Sequence, residues 1–242
     1  MIEFVEATRR YGSKLAVDRL DLHIPRGELF ALLGPNGAGK TTTIKMLVGL
    51  LRPTTGRVSV GGHDMATSAR EANRLLSFVP DEPHLYDKLT GREFLQFIAE
   101  MYGLERLAGR ARIEREIESF GLRSFVDNLT ESYSHGMKQR TVFAAAMLHD
   151  PAVLVVDEPM VGLDPHSVRL VKDLLRAKAA AGTTVFMSTH TLAVAEEIAD
   201  RIGIFHEGRL AFLGTLAELR KQLSQDHAAL EPLYLELISA QG

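Results

Sequence analysis

The 242-residue sequence has no cysteine and no tryptophan. Without thiols it can form neither a disulfide nor a thiolate metal site, a composition that fits a reducing compartment. Long apolar runs are missing as well. The run "AVLVV" (152–156) is far short of the ~20 apolar residues a membrane-spanning helix needs. The opening "MIEFVEATRRYG" lacks an apolar centre of signal-peptide length. Work at a membrane would therefore mean docking onto something already there. A surplus of one charge is absent too: 28 basic residues face 31 acidic ones, a net −3. That gives no global pull towards nucleic acid, and no such partner is expected. No internal repeat, low-complexity segment or long linker interrupts the chain. What remains is ordinary globular composition, 45% hydrophobic and 24% charged, sufficient for a substantial core.

The beginning of the chain reads as β-structure. In "LDLHI", Leu20, Leu22 and Ile24 alternate with Asp21 and His23, a period of two. "PRG" then turns the chain, and "ELFALL" (28–33) is apolar on both faces, as in a buried strand. Ile44, Leu47, Val48 and Leu51 fall at helical spacing, with Pro53 as the expected stop. "GRVSVGGHD" (56–64) reads as a strand and turn. The middle is helical. Thr90 and Glu93 form a capping box ahead of Phe94, Phe97, Ile98 and Met101, and "RARIEREIESFGL" (110–122) is a second amphipathic helix with a solvated charged face. Strands and helices then alternate: "AVLVVD", a helix over 166–182 ending at glycine, "TTVFMS", and a helix over 191–200. "IGIFHEGRLAFLG" (202–214) follows as two strands turning at Glu207-Gly208, and the segment from Ser224 as a terminal helix with a frayed end. Alternation of this kind implies a parallel sheet with helical cover.

Between "ELFALL" and its helix lies Gly34-Pro35-Asn36-Gly37-Ala38-Gly39-Lys40-Thr41, which matches G-x-x-x-x-G-K-[ST]. Glycines let the backbone come close to a ligand and aim its N–H groups at phosphate oxygens, helped by the helix N-terminus. Lys40 would contact β- and γ-phosphates, and the Thr41 hydroxyl, next to Thr42, would ligate Mg²⁺. The buried strand before the motif and the amphipathic helix after it favour this over a structural turn.

Such a loop needs a metal-holding acid on a neighbouring strand. "VLVVDEP" supplies Asp157 and Glu158 at a strand end, where consecutive acids are costly unless neutralised. Asp157 would act on the metal, through water, and Glu158 would polarise an attacking water. His190, in "MSTH", closes the next strand at the end where such sheets bind ligands, and reads as a γ-phosphate contact.

In this order the motifs resemble those of a nucleotide-binding subunit of an ATP-binding cassette (ABC) transporter, over nearly the whole chain. "YSHGMKQR" (133–140) sits where that family has its signature, usually Leu-Ser-Gly-Gly-Gln followed by Gln-Arg. "VGLDP" (161–165) resembles its D-loop, Tyr11 its adenine-stacking aromatic, and His190 its switch histidine. The resemblance implies a P-loop NTPase core with an N-terminal antiparallel β part and an inserted α-helical subdomain. It implies one domain over 1–242: a core of 1–80 and 151–215, a helical signature subdomain over 82–150, and a helical tail over 216–242. The implied ligands are ATP and Mg²⁺. The implied partners are a second nucleotide-binding subunit, taken to be an identical copy, and an integral membrane permease, placing the chain peripherally on the cytoplasmic face. Each ATP would lie between one subunit's phosphate loop and the other's signature, with Ser134 and Gly136 facing the γ-phosphate in trans and Asp164 coupling the two sites.

The sequence departs from the family pattern at four positions. Tyr133, His135 and Met137 replace the usual Leu, Gly and Gln, while Ser134 and Gly136 are kept. His135 either adds a donor or fills space. In "SFVPDEPHLYDKLTGREFL" (77–95), Asp81 stands where the family has glutamine; it either reaches the metal or its water shell, or caps the turn between Pro80 and Pro83. The wording "EPHLYDKLTGREFL" and "LEPLYLELI" resembles ATPases of drug, peptide and polysaccharide export. A permease element would dock beside Asp81 and the helix from Thr90, with Leu85, Tyr86 and Phe94 as contacts or as plain core. The alternative to a transporter is a soluble ATPase of the same type that drives an assembly process.

Overall fold

The computed structural model describes residues 1–225 and 228–239. The expected frayed end at 240–242 lies outside them.

Two sheets organise the described chain. The first is antiparallel and four-stranded: β1 (Ile2–Tyr11), β2 (Lys14–Ile24), β4 (Thr55–Val60) and β5 (His63–Asp64), in the order β2-β1-β4-β5. Its inward residues alternate as the sequence pattern requires, with Leu20, Leu22 and Ile24 buried and Asp21 and His23 exposed.

The second sheet has six strands. β3 (Leu29–Leu33), β6 (Leu76–Val79), β7 (Val153–Asp157), β8 (Thr184–Thr189) and β9 (Arg201–His206) are parallel, and β10 (Arg209–Gly214) runs antiparallel to β9. The order is β10-β9-β3-β8-β7-β6. Both faces are covered, which is why "ELFALL" and "AVLVVD" are apolar throughout. In β3, Leu29, Ala31 and Leu33 join one core, while Phe30 and Leu32 join another on the opposite face with Val153, Val155, Phe186 and the inner side of the antiparallel sheet. Each fully buried large side chain contributes about 1.5–3 kcal/mol.

Helix α1 (Lys40–Leu47) follows β3, and α2 (Ala69–Leu75) precedes β6. Helix α1 is shorter than the sequence pattern suggests. It stops at Gly49, φ +77°, whose amide bonds to the Met46 carbonyl while Leu51 N reaches back to Lys45 O. Pro53 comes after the chain has already turned. The helical part comprises α3 (Gly91–Met101), α4 (Arg106–Ser119) and α5 (His135–Met147). The Thr90/Glu93 capping box is present at the start of α3. Helix α4 begins earlier than read, at a Glu105 cap, and its exposed charges pair with neighbours: Arg92 and Arg123 both bind Glu114. A short 3₁₀ turn (Thr130–Ser132) leads into α5.

Helix α6 (Pro165–Ala180) ends at Gly182, φ +95°, and α7 (Leu192–Ile198) follows β8. At the C-terminal side, α8 (Leu216–Gln222) and α9 (Leu230–Ser239) pack back onto the domain. Glu196 on α7 is the node of that contact. It pairs with Arg220 at 3.2 Å and accepts from the Leu230 amide at 3.1 Å, while Arg220 Nε donates to the Ala228 carbonyl at 2.8 Å.

Candidate active site

The C-terminal ends of β3, β6, β7 and β8 lead into the phosphate loop, Asp81, Asp157–Glu158 and His190. In register, Leu33 of β3 lies level with Thr189 of β8, and Asp157 of β7 level with Ser188. The sequence reading put the acid on a strand next to the phosphate loop. Instead β8 pairs with both β3 and β7 and separates them. His190 lies just past β8, the strand that separates the loop's strand from that of the acids.

Between β3 and α1 the chain makes the tight loop 34–39. A Cβ at Gly34 would lie 2.5 Å from the Phe205 carbonyl oxygen. At Gly39, φ +115°, a Cβ would lie 2.4 Å from the Ala16 carbonyl oxygen. Glycine at these two positions is thus dictated by backbone approach, and at Gly39 by conformation as well. Ala38 is held from outside: its carbonyl accepts from the Gly208 amide at 2.9 Å, and the Gly208 carbonyl accepts from the Asp18 amide at 2.8 Å. Lys40 opens α1 and is 6% exposed. Its ammonium donates to the Gly34 carbonyl at 2.7 Å and the Pro35 carbonyl at 3.3 Å, and stands 3.7 Å from Glu158 Oε1. Pro35, Asn36 and Gly37 are exposed on the loop.

A cleft of about 360 Å³ runs from this loop to the antiparallel sheet. Thr41, Thr42 and Asp81 line one end and Tyr11, Lys14 and Ala16 the other. Tyr11 is 43% exposed, with the Arg9 guanidinium 4.7 Å above its ring. The sequence reading found Tyr11 but missed Arg9, Lys14 and Ala16, which carry no motif.

Asp157 is buried and receives the Ser188 hydroxyl as hydrogen-bond donor. Burial pushes its carboxyl above the usual range; the Ser188 bond pulls it down, the charges of Asp81 and Glu158 push it up, and Lys40 pulls it down. Ser188 was missed by the sequence reading, although a serine inside the otherwise apolar "VFMS" is the signal that could have found it. Glu158 takes a left-handed backbone, φ +45°, uncommon for a non-glycine residue. That turn is fixed by its amide, which donates to the Ser188 carbonyl at 3.1 Å. Its carboxylate accepts from the His190 amide at 3.2 Å and lies 2.9 Å from His190 Nδ1. Glu158 is therefore gripped by Lys40 on one side and His190 on the other. Asp81 is exposed, and its Oδ1 accepts from the adjacent Glu82 amide at 2.9 Å; it also faces the cleft beside Thr41 and Glu158.

Oxygen donors from Thr41, Asp157 and Asp81 are the set a hard dication prefers. Among the described residues no three His, Asp or Glu are grouped to hold a metal by themselves. Oxygens of a bound nucleotide and water would have to complete the shell, which suits Mg²⁺.

A larger groove of about 600 Å³ joins Asn36, Asp81, Glu158 and His190 to Tyr133 and His135 at the start of α5. Ser134 caps α5 by accepting from the Met137 amide at 3.3 Å. Tyr133 is buried, donates to the Phe125 carbonyl at 2.9 Å and meets the Phe125 ring edge-on, so this replacement for leucine is a core residue. Met137 packs partly buried against the same core. His135 Nε2 lies 3.2 Å from the Val161 carbonyl oxygen, so it acts as a donor within its own chain. Asp164 caps α6, accepting from Ser167 Oγ at 2.6 Å and the Ser167 amide at 3.0 Å. Ser134, Gly136, Met137 and Asp164 line neither cavity.

Beside Asp81 a third groove of about 210 Å³ is lined by Pro80, His84, Phe94, Ile98 and Tyr102; Phe97 and Met101 of the same helix α3 are exposed, as is Tyr86, whose ring meets Phe97 edge-on. Phe94 is buried, and Leu85 packs half-buried against the core. Of the three expected docking contacts, Tyr86 alone is well exposed.

Residues 17–161 match the family model described as "ABC transporter". The chain is 40% identical over 225 residues to the daunorubicin/doxorubicin resistance ATP-binding protein DrrA of Streptomyces peucetius, covering 93% of this chain and 68% of that one. It is 37% identical over 241 residues to the probable multidrug ABC transporter ATP-binding protein YbhF of Escherichia coli (strain K12), 98% of this chain. It spans 42% of the length of that relative. A solved dimeric structure of MJ0796, a bacterial ABC transporter cassette, superposes with a TM-score of 0.82 at 25% identity, over 89% of this chain and 99% of that one.

Proposed function

We propose, for a chain that belongs to the ABC transporter family, that it binds and hydrolyses Mg²⁺-ATP as a dimer and powers export through a separate membrane-spanning partner. The observation that carries this reading is the grip of Lys40 and His190 on Glu158 at the mouth of the phosphate loop. Glu158 is placed to polarise an attacking water, and His190 orients it from the switch position. Lys40 and the loop amides hold the β- and γ-phosphates, Tyr11 stacks on the base, and Asn36, Thr41 and Thr42 line the path between. Thr41, Asp157 and Asp81 would hold Mg²⁺, which when bound neutralises charge on the transferred phosphoryl group. Catalysis is then mainly positioning and charge stabilisation.

The dimer reading is supported by the dimeric cassette relative, and it is consistent with Ser134, Gly136, Met137 and Asp164 lining neither of the chain's own two clefts. In that reading these residues serve the partner's ATP, the segment 82–150 moves as one signature unit, and ATP joins the subunits while hydrolysis releases them. Among the described residues no helix is long and apolar enough to cross a membrane. The Tyr86, Phe97, Met101 and Tyr102 surface beside Asp81 is the docking site for a cytoplasmic element of the permease, and drug-like cargo is suggested by the multidrug and daunorubicin relatives.

The test is ATP hydrolysis by wild type and Glu158→Gln, with oligomeric state in ATP-Mg²⁺ read by light scattering. Loss of turnover together with an ATP-trapped dimer is expected. Full turnover in the variant would remove Glu158 as the base. Recovery of the native protein from washed membranes with a polytopic partner is expected too; its exclusive recovery in the soluble fraction would point to an assembly ATPase.

A further inference from the structure

One side chain ties the first turn of α5 to the loop after β7. His135 Nε2 lies 3.2 Å from the Val161 carbonyl oxygen. A carbonyl has no proton to give, so Nε2 carries the hydrogen and donates it. The Val161 amide in turn donates to the Glu158 carbonyl at 3.2 Å. Val161 is thus held from both sides, by the residue that begins the loop and by the signature turn. Against the imidazole lies Gly162, φ +72°, where a Cβ would come 3.0 Å from His135 Cδ2 and 3.2 Å from Nε2. The loop backbone therefore approaches the ring as closely as a glycine allows. His135 is exposed, so core packing does not account for the contact. A glycine at 135 could not make it.

We propose that His135 is a positioning residue that fastens loop 158–164 to the signature turn of its own subunit. The inference rests on the head-to-tail reading above. When the signature engages the ATP of the second subunit, any shift of the α5 N-terminus is passed through one hydrogen bond to Val161, and from there to Glu158 at one end of the loop and Asp164 at the other. Each site is then informed of its neighbour's occupancy by a route internal to one chain.

Three substitutions separate the hydrogen bond from the space it fills. His135→Gly removes both, His135→Phe keeps a ring without a donor, and His135→Gln keeps a donor of similar reach. The expected result is a kcat lowered about two- to tenfold in the Gly and Phe variants, the worth of one hydrogen bond, with KM for ATP within about twofold. The Hill coefficient for ATP should fall towards one in both, and Gln should restore both kcat and cooperativity. Gly162→Ala supplies an independent reading. At φ +72° alanine strains the backbone in both backgrounds, but its methyl group meets the imidazole only in wild type and no ring in the His135→Gly background, so the two losses should be less than additive. Wild-type kcat and cooperativity in His135→Phe, failure of Gln to improve on Gly, or strict additivity with Gly162→Ala would each overturn the proposal. Glu158→Gln is run alongside. If it forms an ATP-trapped dimer while His135→Phe behaves as wild type, the His135 link fails and the head-to-tail arrangement stands. If no dimer forms, the arrangement fails and the link with it.

Discussion

His149 should make this protein acid-sensitive, and replacing it with phenylalanine should relieve much of that sensitivity. The residue follows α5 and its ring stacks on Tyr102, centroids 3.7 Å apart and planes 7° from parallel. Its Nδ1 is buried without a hydrogen-bond partner, and its Nε2 lies 3.5 Å from Ser77 Oγ. Burial lowers its pKa from 6.5 to about 4; the nearby Leu76 backbone and the charge of Asp150 oppose this, and Arg112 adds to it. The folded pKa lies below the unfolded one, so unfolding takes up a proton between these values. Stability is therefore whole above pH 6.5 and is lost as pH falls towards 4. Linkage with these two values gives a loss of about 2 kcal/mol between pH 7.5 and 5.0, which water at the groove rim reduces to between about 1 and 2. Phenylalanine keeps the stacked ring and removes both the unpaired nitrogen and the proton. His149→Phe should lie within about 1 kcal/mol of wild type at pH 7.5. By pH 5.0 it should have gained about 1–2 kcal/mol relative to wild type, or ~2–8 °C in Tm for a chain of this size. Urea unfolding of both proteins at the two pH values measures the gap. A gap that stays constant between them would refute the argument, because it would mean that His149 binds protons equally in both states.

Ser188→Ala removes the donor to Asp157 and leaves that acid buried among Asp81 and Glu158, so the Mg²⁺ concentration for half-maximal ATPase should rise about tenfold, while nucleotide binding without metal, followed by a fluorescent analogue, should change little. Tyr133→Phe loses the bond to the Phe125 carbonyl while keeping the edge-on ring contact, so thermal unfolding should shift down by about 2–4 °C, near 1 kcal/mol. Arg220→Ala breaks the contacts to Glu196 and to the Ala228 carbonyl together, so limited chymotrypsin digestion should cut at Tyr234 faster than in wild type while the rest of the domain stays resistant.

Much of the site could be read from the sequence because its chemistry is local. The loop from Gly34 to Thr41 needs particular residues in consecutive order, and a strand end rich in acid announces Asp157 and Glu158. The capping box at Thr90 was legible for the same reason: the two partners are three residues apart. What escaped depends on contacts between distant parts of the chain. Nothing near Ser188 says that register sets it level with Asp157, since that pairing arises from β7 lying beside β8. The intervention of β8 between β3 and β7 is a property of strand order, which periodicity cannot supply. The early end of α1 was hidden because Leu51 continues the helical stripe; the conformation at Gly49 outweighs it, and a Cβ there would also come 2.9 Å from the Met65 side chain. Nothing near His135 in sequence announces its contact with the loop after β7. Its ring meets the Val161 carbonyl oxygen, 26 residues further on. Phe94 and Tyr86 looked alike as docking residues until burial separated them.

The peptide of Gly208 has a consequence larger than its two hydrogen bonds. Its amide is spent on Ala38 in the phosphate loop and its carbonyl on Asp18 in the strand that borders Tyr11's side of the cleft. One hairpin turn, remote in sequence from both, therefore works as a caliper. In the proposed nucleotide reading it would fix the span between the phosphate loop and the strand beside Tyr11. In that reading a bare polyphosphate would engage only the loop end of the cleft, and a free nucleoside only the Tyr11 end.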